Sequence, residues 1–152
     1  MSWNEGYLVQ QFSLPSKTRT LVLAQNWPVL DAYMRELVAP DGELFKILSQ
    51  HAQFKTIEHM LAMRDGASAD EEDGIWHDDG SRVLAFSLSL NYFGLPQGGA
   101  LEIRPKGQAV QSLGPYGPGT LVIFRTGVDG FEHRTCKVTA GLRLVCAGWC
   151  LG

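Results

Sequence analysis

Long apolar runs are missing from this chain. No window approaches the roughly 18 apolar residues of a helical membrane span, which argues against a membrane protein or partner. Runs of Lys or Arg are missing too, and the net charge is −3, so the electrostatic footprint of a nucleic-acid binder is lacking. The basic pairs Arg104 with Lys106 and Arg134 with Lys137 fall on predicted strands and read as a solvated face. The start, Met1-Ser-Trp-Asn-Glu, has no basic region followed by an apolar block, so no secretion signal is expected. Cysteine is scarce: Cys136, Cys146 and Cys150 are the only three. They read as reduced thiols of a cytoplasmic protein. Cys146-x-x-x-Cys150 has the form of a metal pair, but on a strand these are small apolar core residues. Internal repeats and low-complexity tracts are absent.

What is present is ordinary globular composition, 45% apolar and 19% charged over 152 residues, enough for one domain with a real core. Residues 1–53 read as an N-terminal strand and helices, and 54–152 as a β core. Gly6 to Leu14 alternates loosely as a strand, and Pro15-Ser16-Lys17-Thr18 breaks it. From Asn26, a plausible N-cap, Val29, Leu30, Tyr33, Met34 and Leu37 recur at helical steps. Ala39-Pro40-Asp41-Gly42 stops that helix, and Asp41 can cap a short one through Leu44, Ile47 and Leu48. Phe54 to Arg64 fits a helix or a strand equally. Asp65 to Gly74 is acidic, rich in small residues, and reads as a mobile loop at the mouth of a site. Strands are then expected at Arg82 to Phe93, Gly99 to Pro105, Gln108 to Leu113, Thr120 to Phe124, Phe131 to Val138 and Leu142 to Trp149. Gly94 to Gly98 and Gly114 to Gly119 are the turns between them. Short strands at this spacing indicate a sandwich or jelly roll.

Three polar features stand out from that texture. In His77-x-Asp79, if the segment is extended, alternate side chains share a face, so the imidazole and the carboxylate point together and Asp78 points away. The plain alternative is a polar surface turn. His133 can complete two His and a carboxylate on one face, the arrangement of non-haem Fe(II) sites. His51 and His59 lack comparable context, with His59 the fallback ligand. Arg143 sits among Val138, Leu142, Leu144 and Val145, where an unpaired guanidinium is costly, so an anionic partner is expected. That partner is either a structural Asp or Glu or a bound carboxylate.

The ordered set His77-x-Asp79, Leu90-Asn91, Gly98-Gly99-x-Leu101, Gly119-x-Leu121-Val122-x-Phe124, His133, Gly141-x-Arg143 and Trp149 resembles the catalytic half of 2-oxoglutarate- and Fe(II)-dependent dioxygenases of the prolyl-hydroxylase type. Arg143 follows His133 by ten residues, and Trp149 follows Arg143 by six. The resemblance implies a double-stranded β-helix with N-terminal helices packed on one sheet, and it places a strand at 54–64. It implies iron on His77, Asp79 and His133, and a 2-oxoglutarate whose distal carboxylate is gripped by Arg143. With O2, such a protein releases succinate and CO2 and hydroxylates an amino-acid side chain, peptidyl or free, or a small metabolite. The chain departs from the pattern at Ser89, where many members carry a Tyr, and at Val145, where others carry a Ser. Ser89 is the candidate second donor to that carboxylate. Gly98-Gly99 reads as a turn or bulge, Phe124 and Trp149 as core, and Trp76 as packing away from the metal. Arg82 either lines the mouth or pairs with the 65–73 loop. Two rivals remain: a cupin-like metal protein with no use for Arg143, and a non-catalytic jelly-roll binding module. A nucleobase demethylase is disfavoured, since nothing after Arg143 is basic.

Overall fold

The computed structural model describes residues 6–128 and 130–152; residues 1–5, on which the expectation of no secretion signal rests, lie outside them. The elements run β1 (Tyr7–Gln11), α1 (Ser16–Leu23), α2 (Trp27–Val38), α3 (Glu43–Ser49), β2 (Thr56–Asp65), β3 (Arg82–Ser89) and β4 (Gln97–Gly98). Then follow β5 (Leu101–Pro105), β6 (Gln111–Leu113), β7 (Thr120–Arg125), β8 (Phe131–Thr135), β9 (Val138–Ala140) and β10 (Leu142–Leu151). A five-stranded sheet is ordered β1-β7-β3-β10-β2, a three-stranded one β6-β5-β8, and β4 pairs with β9. Every pairing is antiparallel. This is the jelly roll the sequence pointed to.

Period-two alternation sorts the five-stranded sheet into two faces with different jobs. On one face, Leu84, Phe86 and Leu88 of β3, Leu121 and Ile123 of β7, and Leu144, Cys146 and Cys150 of β10 meet Val22, Leu30, Met34, Leu44 and Leu48 of the helices. The other face turns Ala85, Val122 and Phe124 toward Leu101, Ile103, Leu113 and Phe131 of the smaller sheet. Cys146 and Cys150, four apart on one strand, therefore share the helix-side core, as free thiols. Burial pushes both up to about 12.

The N-terminal reading needs correction. The segment expected only to break β1 is the start of α1, which buries just Thr18 and Val22 and so has almost no apolar stripe to announce it. Asn26 does precede α2, but its side chain makes no capping bond. The N-cap of α3 is Gly42 rather than Asp41. A side chain at 42 would strike the carbonyls of Glu36 and Leu37 at the end of α2, so only glycine lets the two helices meet there. The 54–64 ambiguity resolves as β2, an edge strand paired to β10.

Downstream, three expected strands are shorter or split. β3 stops at Ser89 because the Asn91 side chain replaces the ladder: its Oδ1 accepts from Leu144 N at 2.8 Å and its Nδ2 donates to Tyr116 O at 2.8 Å. The expected Gln108 to Leu113 strand forms only over β6, and Phe131 to Val138 divides into β8 and β9. Gln97 and Gly98, expected within a turn, pair with β9.

Candidate active site

The first cluster joins the 75–79 segment to β8. His77 and His133 exchange backbone hydrogen bonds, His77 N to His133 O at 3.1 Å and His133 N to His77 O at 2.9 Å. This is a single bridge rather than a strand. Asp79 lies in the left-handed region at φ 64°, inside a turn closed by Gly80 N donating to Asp78 Oδ1 at 2.9 Å. So the expected reason for the convergence, alternation along an extended segment, is wrong at Asp79; a turn swings its carboxylate back between the two imidazoles. His77 Nε2 is 3.3 Å from Asp79 Oδ1, and His133 Nε2 is 3.1 Å from Asp79 Oδ2. Asp78 points away and binds Lys106 Nζ at 2.7 Å.

This donor set fits a divalent cation. The ligand atoms of His77, Asp79 and His133 all lie within 4.8 Å of one another. His77 Nδ1 is 2.8 Å from Ile75 O, and a carbonyl only accepts, so Nδ1 carries the ring proton. In the neutral ring, Nε2 then turns a lone pair toward a carboxylate oxygen, a contact that needs a positive charge between the two atoms. His133 Nδ1 is buried without a partner among the described residues, and the Phe124 ring packs edge-on against this imidazole at 4.9 Å. Asp79 is held from behind. Trp149 Nε1 donates to its Oδ2 at 2.9 Å, and Thr126 Oγ1 reaches the same oxygen at 3.2 Å. Burial opposes ionisation of Asp79, but hydrogen bonding and charge from His133, then His77 and Thr126, outweigh it and hold the carboxyl below its usual value. Two nitrogens and one ionised carboxylate, with the His77 side half exposed, match the open facial arrangement of non-haem Fe(II).

The second feature lies along the same sheet face. Register pairs Arg64 with Arg143, Ala62 with Val145 and Ser89, Met60 with Ala147 and Ser87, and Glu58 with Trp149 and Ala85. Small residues fill the middle rows, and a cavity of about 250 Å³ runs over them, lined by Arg143 and Arg64 as well as His77 and His133. Arg143 is 7% exposed. Its guanidinium has neither a hydrogen bond nor an ion pair among the described residues. Burial, then the charge of Arg64, lowers it to about 10, so it stays charged at neutral pH. Gly99, at φ 77°, packs on it: a Cβ there would lie 3.0 Å from Arg143 Cδ and 2.9 Å from Val138 Cγ2. The glycine read as a plain turn residue is what lets this arginine lie flat.

Other expected residues fall elsewhere. Ser89 sits beside Arg143, but its hydroxyl donates to Tyr116 O at 2.6 Å and accepts from Asn91 Nδ2 at 3.0 Å. His59 Nε2 faces Asp31 of α2 at 3.0 Å, away from the cavity. Arg82 pairs with Glu58 at 3.2 Å instead of the acidic loop, and its guanidinium lies over Trp149. Trp76 does turn from the triad, with the guanidinia of Arg104 and Arg134 at 3.8 and 4.8 Å from its ring. The loop expected to be mobile is tied down: Lys137 N donates to Asp73 Oδ1 and Val138 N to Glu71 Oε2, both at 2.7 Å. Trp149, taken for core, and Thr126, Arg64 and Gly99 are the site residues that sequence reasoning missed. Trp149, six residues after Arg143, and Gly99, in Gly98-Gly99-x-Leu101, stood in the ordered set; Thr126 and Arg64 carried no signal.

The jelly roll thus brings a His–Asp–His cluster and a buried arginine to one cavity on one face of the main sheet. Comparison with solved structures gives the same fold. A prolyl-4-hydroxylase of Pseudomonas putida aligns over 97% of this chain and 89% of its own, with TM-score 0.67 and 21% identity. A Trichoplax adhaerens prolyl hydroxylase, solved with a hypoxia inducible factor oxygen degradation domain peptide fragment, aligns over 97% and 84%, with TM-score 0.63 and 19% identity. The viral collagen prolyl hydroxylase of Paramecium Bursaria Chlorella virus-1, solved as a 2-oxoglutarate complex, aligns over 96% and 95%, with TM-score 0.63 and 12% identity. No family model and no curated protein sequence matches the chain. Among the described residues, no helix is long and apolar enough to cross a membrane.

Proposed function

We propose that this protein is an Fe(II)- and 2-oxoglutarate-dependent dioxygenase that hydroxylates an amino-acid side chain, peptidyl or free, or a small metabolite, with release of succinate and CO2. One observation carries the reading. A buried, charged and unpartnered guanidinium lines the same cavity as two imidazoles that converge on a shared carboxylate. Leaving such a charge unpaired in the interior costs several kcal/mol, on the order of 3–5. A ligand with a terminal carboxylate removes that cost.

His77, Asp79 and His133 would hold the iron, which when bound supplies the oxidative chemistry with O2. The rest is the work of this chain. Ile75 O fixes the His77 tautomer with Nε2 free to ligate. Trp149 fixes the Asp79 carboxylate, and Thr126, whose hydroxyl donates to Asp78 O at 2.7 Å, ties down the turn that carries it. Arg143 offers its planar fork to the distal carboxylate, which orients the co-substrate along the row of small side chains. The apolar walls from Phe124, Leu101 and Met60 keep the cavity poor in water. A peptidyl substrate is favoured by the likeness to the Trichoplax enzyme, solved with a peptide, and the three free thiols favour a reducing, cytoplasmic setting.

The test is titration of anaerobic Fe(II)-loaded protein with 2-oxoglutarate, following the visible metal-to-ligand charge-transfer band, with Arg143→Ala alongside. The expected result is a band in wild type that needs at least tenfold more ligand in the variant. Iron without a band would favour a metal protein that uses no 2-oxoglutarate. No iron would leave a non-catalytic binding module.

A further inference from the structure

Arg64 and Arg143 are direct register partners on adjacent antiparallel strands, and both line the cavity. Like charges placed opposite each other across two strands destabilise the pair, so the row needs an anion. Among the described residues, only Arg64 receives one. Its Nη1 donates to Glu71 Oε2 at 3.2 Å and to Glu72 O at 2.8 Å. Those two bonds use one nitrogen; Nη2 and Nε have no acceptor among the described residues. Glu71 Oε2 is in turn held by Val138 N at 2.7 Å. Ser89, the donor expected beside Arg143, has its proton committed to Tyr116 O. A carboxylate seated on the Arg143 fork retains lone pairs to satisfy, and Arg64, on the same row and lining the same cavity, has free N–H groups to offer.

Resting on the function proposed above, we propose that Arg64 is the second cationic donor to the distal carboxylate of the co-substrate, with Glu71 as the resident counter-ion that competes for it. The cavity is then a two-guanidinium site. It selects 2-oxo acids with a second carboxylate over those without, and Glu71 moderates its affinity. A purely structural role for the Arg64–Glu71 pair, clamping the 66–74 loop, makes a different prediction: losing either partner loosens the same loop and shifts ligand affinity in the same direction.

The experiment is calorimetric titration of Zn(II)-loaded protein, which binds without turnover, with 2-oxoglutarate and with 2-oxopentanoate, a five-carbon 2-oxo acid lacking the distal carboxylate. Arg64→Gln is expected to weaken 2-oxoglutarate binding about tenfold and to leave 2-oxopentanoate unchanged. Arg64→Lys should recover part of the loss, and it stands in if the Gln variant fails to fold. Glu71→Gln, which keeps one acceptor oxygen for Val138 N but removes the charge, should tighten 2-oxoglutarate binding. If wild type binds and Arg143→Gln does not, while Arg64→Gln is unaffected or moves the same way as Glu71→Gln, this assignment is overturned and the proposed function stands. If wild type binds no 2-oxoglutarate, both fall.

Discussion

Arg143 and Asp79 are expensive residues in their positions, and each is supported differently. Arg143 receives space, not a partner: Gly99 clears its aliphatic stem, and among the described residues no carboxylate reaches its head. Asp79 receives partners from far along the chain, with Trp149 70 residues away and Thr126 47 away. Groups that hydrogen-bond a metal ligand typically contribute 10–100-fold to metal affinity. Trp149→Phe keeps an aromatic ring against the sheet and deletes the N–H together with part of the ring volume. It is expected to lower Zn(II) or Mn(II) affinity by about that factor in a competition titration, with the urea midpoint little changed. An unchanged metal affinity would reduce Trp149 to a core residue. The chemistry-bearing residue types were legible because few other roles suit them: His77, Asp79, His133 and Arg143 were named from type and order. Their supports were not, because indole, threonine hydroxyl and glycine have many roles, and nothing local marks a bond that spans the chain.

Among the elements, β10 does the most, carrying Arg143 and Trp149 on one face and two cysteines on the other. The burial that places Cys146 and Cys150 against the helices pushes both thiols up to about 12, and Cys136 to about 11. Because the thiolate is the reactive form, Cys146 and Cys150 should resist iodoacetamide at neutral pH in the native protein and react fully once it is unfolded, as read by intact mass. Rapid native labelling of either would place it outside the core described here. The strands β3, β7 and β10 were legible as short apolar runs bounded by Gly and Pro turns, since a strand buried on both faces leaves a nearly continuous apolar stretch. β2 was not, because on an edge strand the exposed and half-buried residues alternate too weakly to separate 2.0 from 3.6. α1 was invisible for a related reason: a helix that buries two residues leaves no stripe. The 66–74 loop looked free because its ties run to backbone N–H groups, which sequence does not display.

At the scale of the molecule, helices cover one face of the main sheet so that the other can hold a polar site between sheets. Binding there adds to stability by mass action. On the proposed function, metal at about 100 times its dissociation constant adds about 2.7 kcal/mol, which for a chain of this size raises Tm by roughly 5–10 °C. Chelation should reverse the shift, and Asp79→Asn should abolish it; a Tm indifferent to metal in wild type would count against the triad as a site. Arg143 and the Trp149-backed Asp79 stand at opposite ends of rows laid down by a single strand, and the rise of a strand is nearly fixed, about 3.3 Å per residue. The sheet therefore acts as a ruler. On the proposed function, a dicarboxylate one methylene too short would leave the guanidinium unanswered and one too long would overrun the span, because the spacing of the two strand positions is set by backbone.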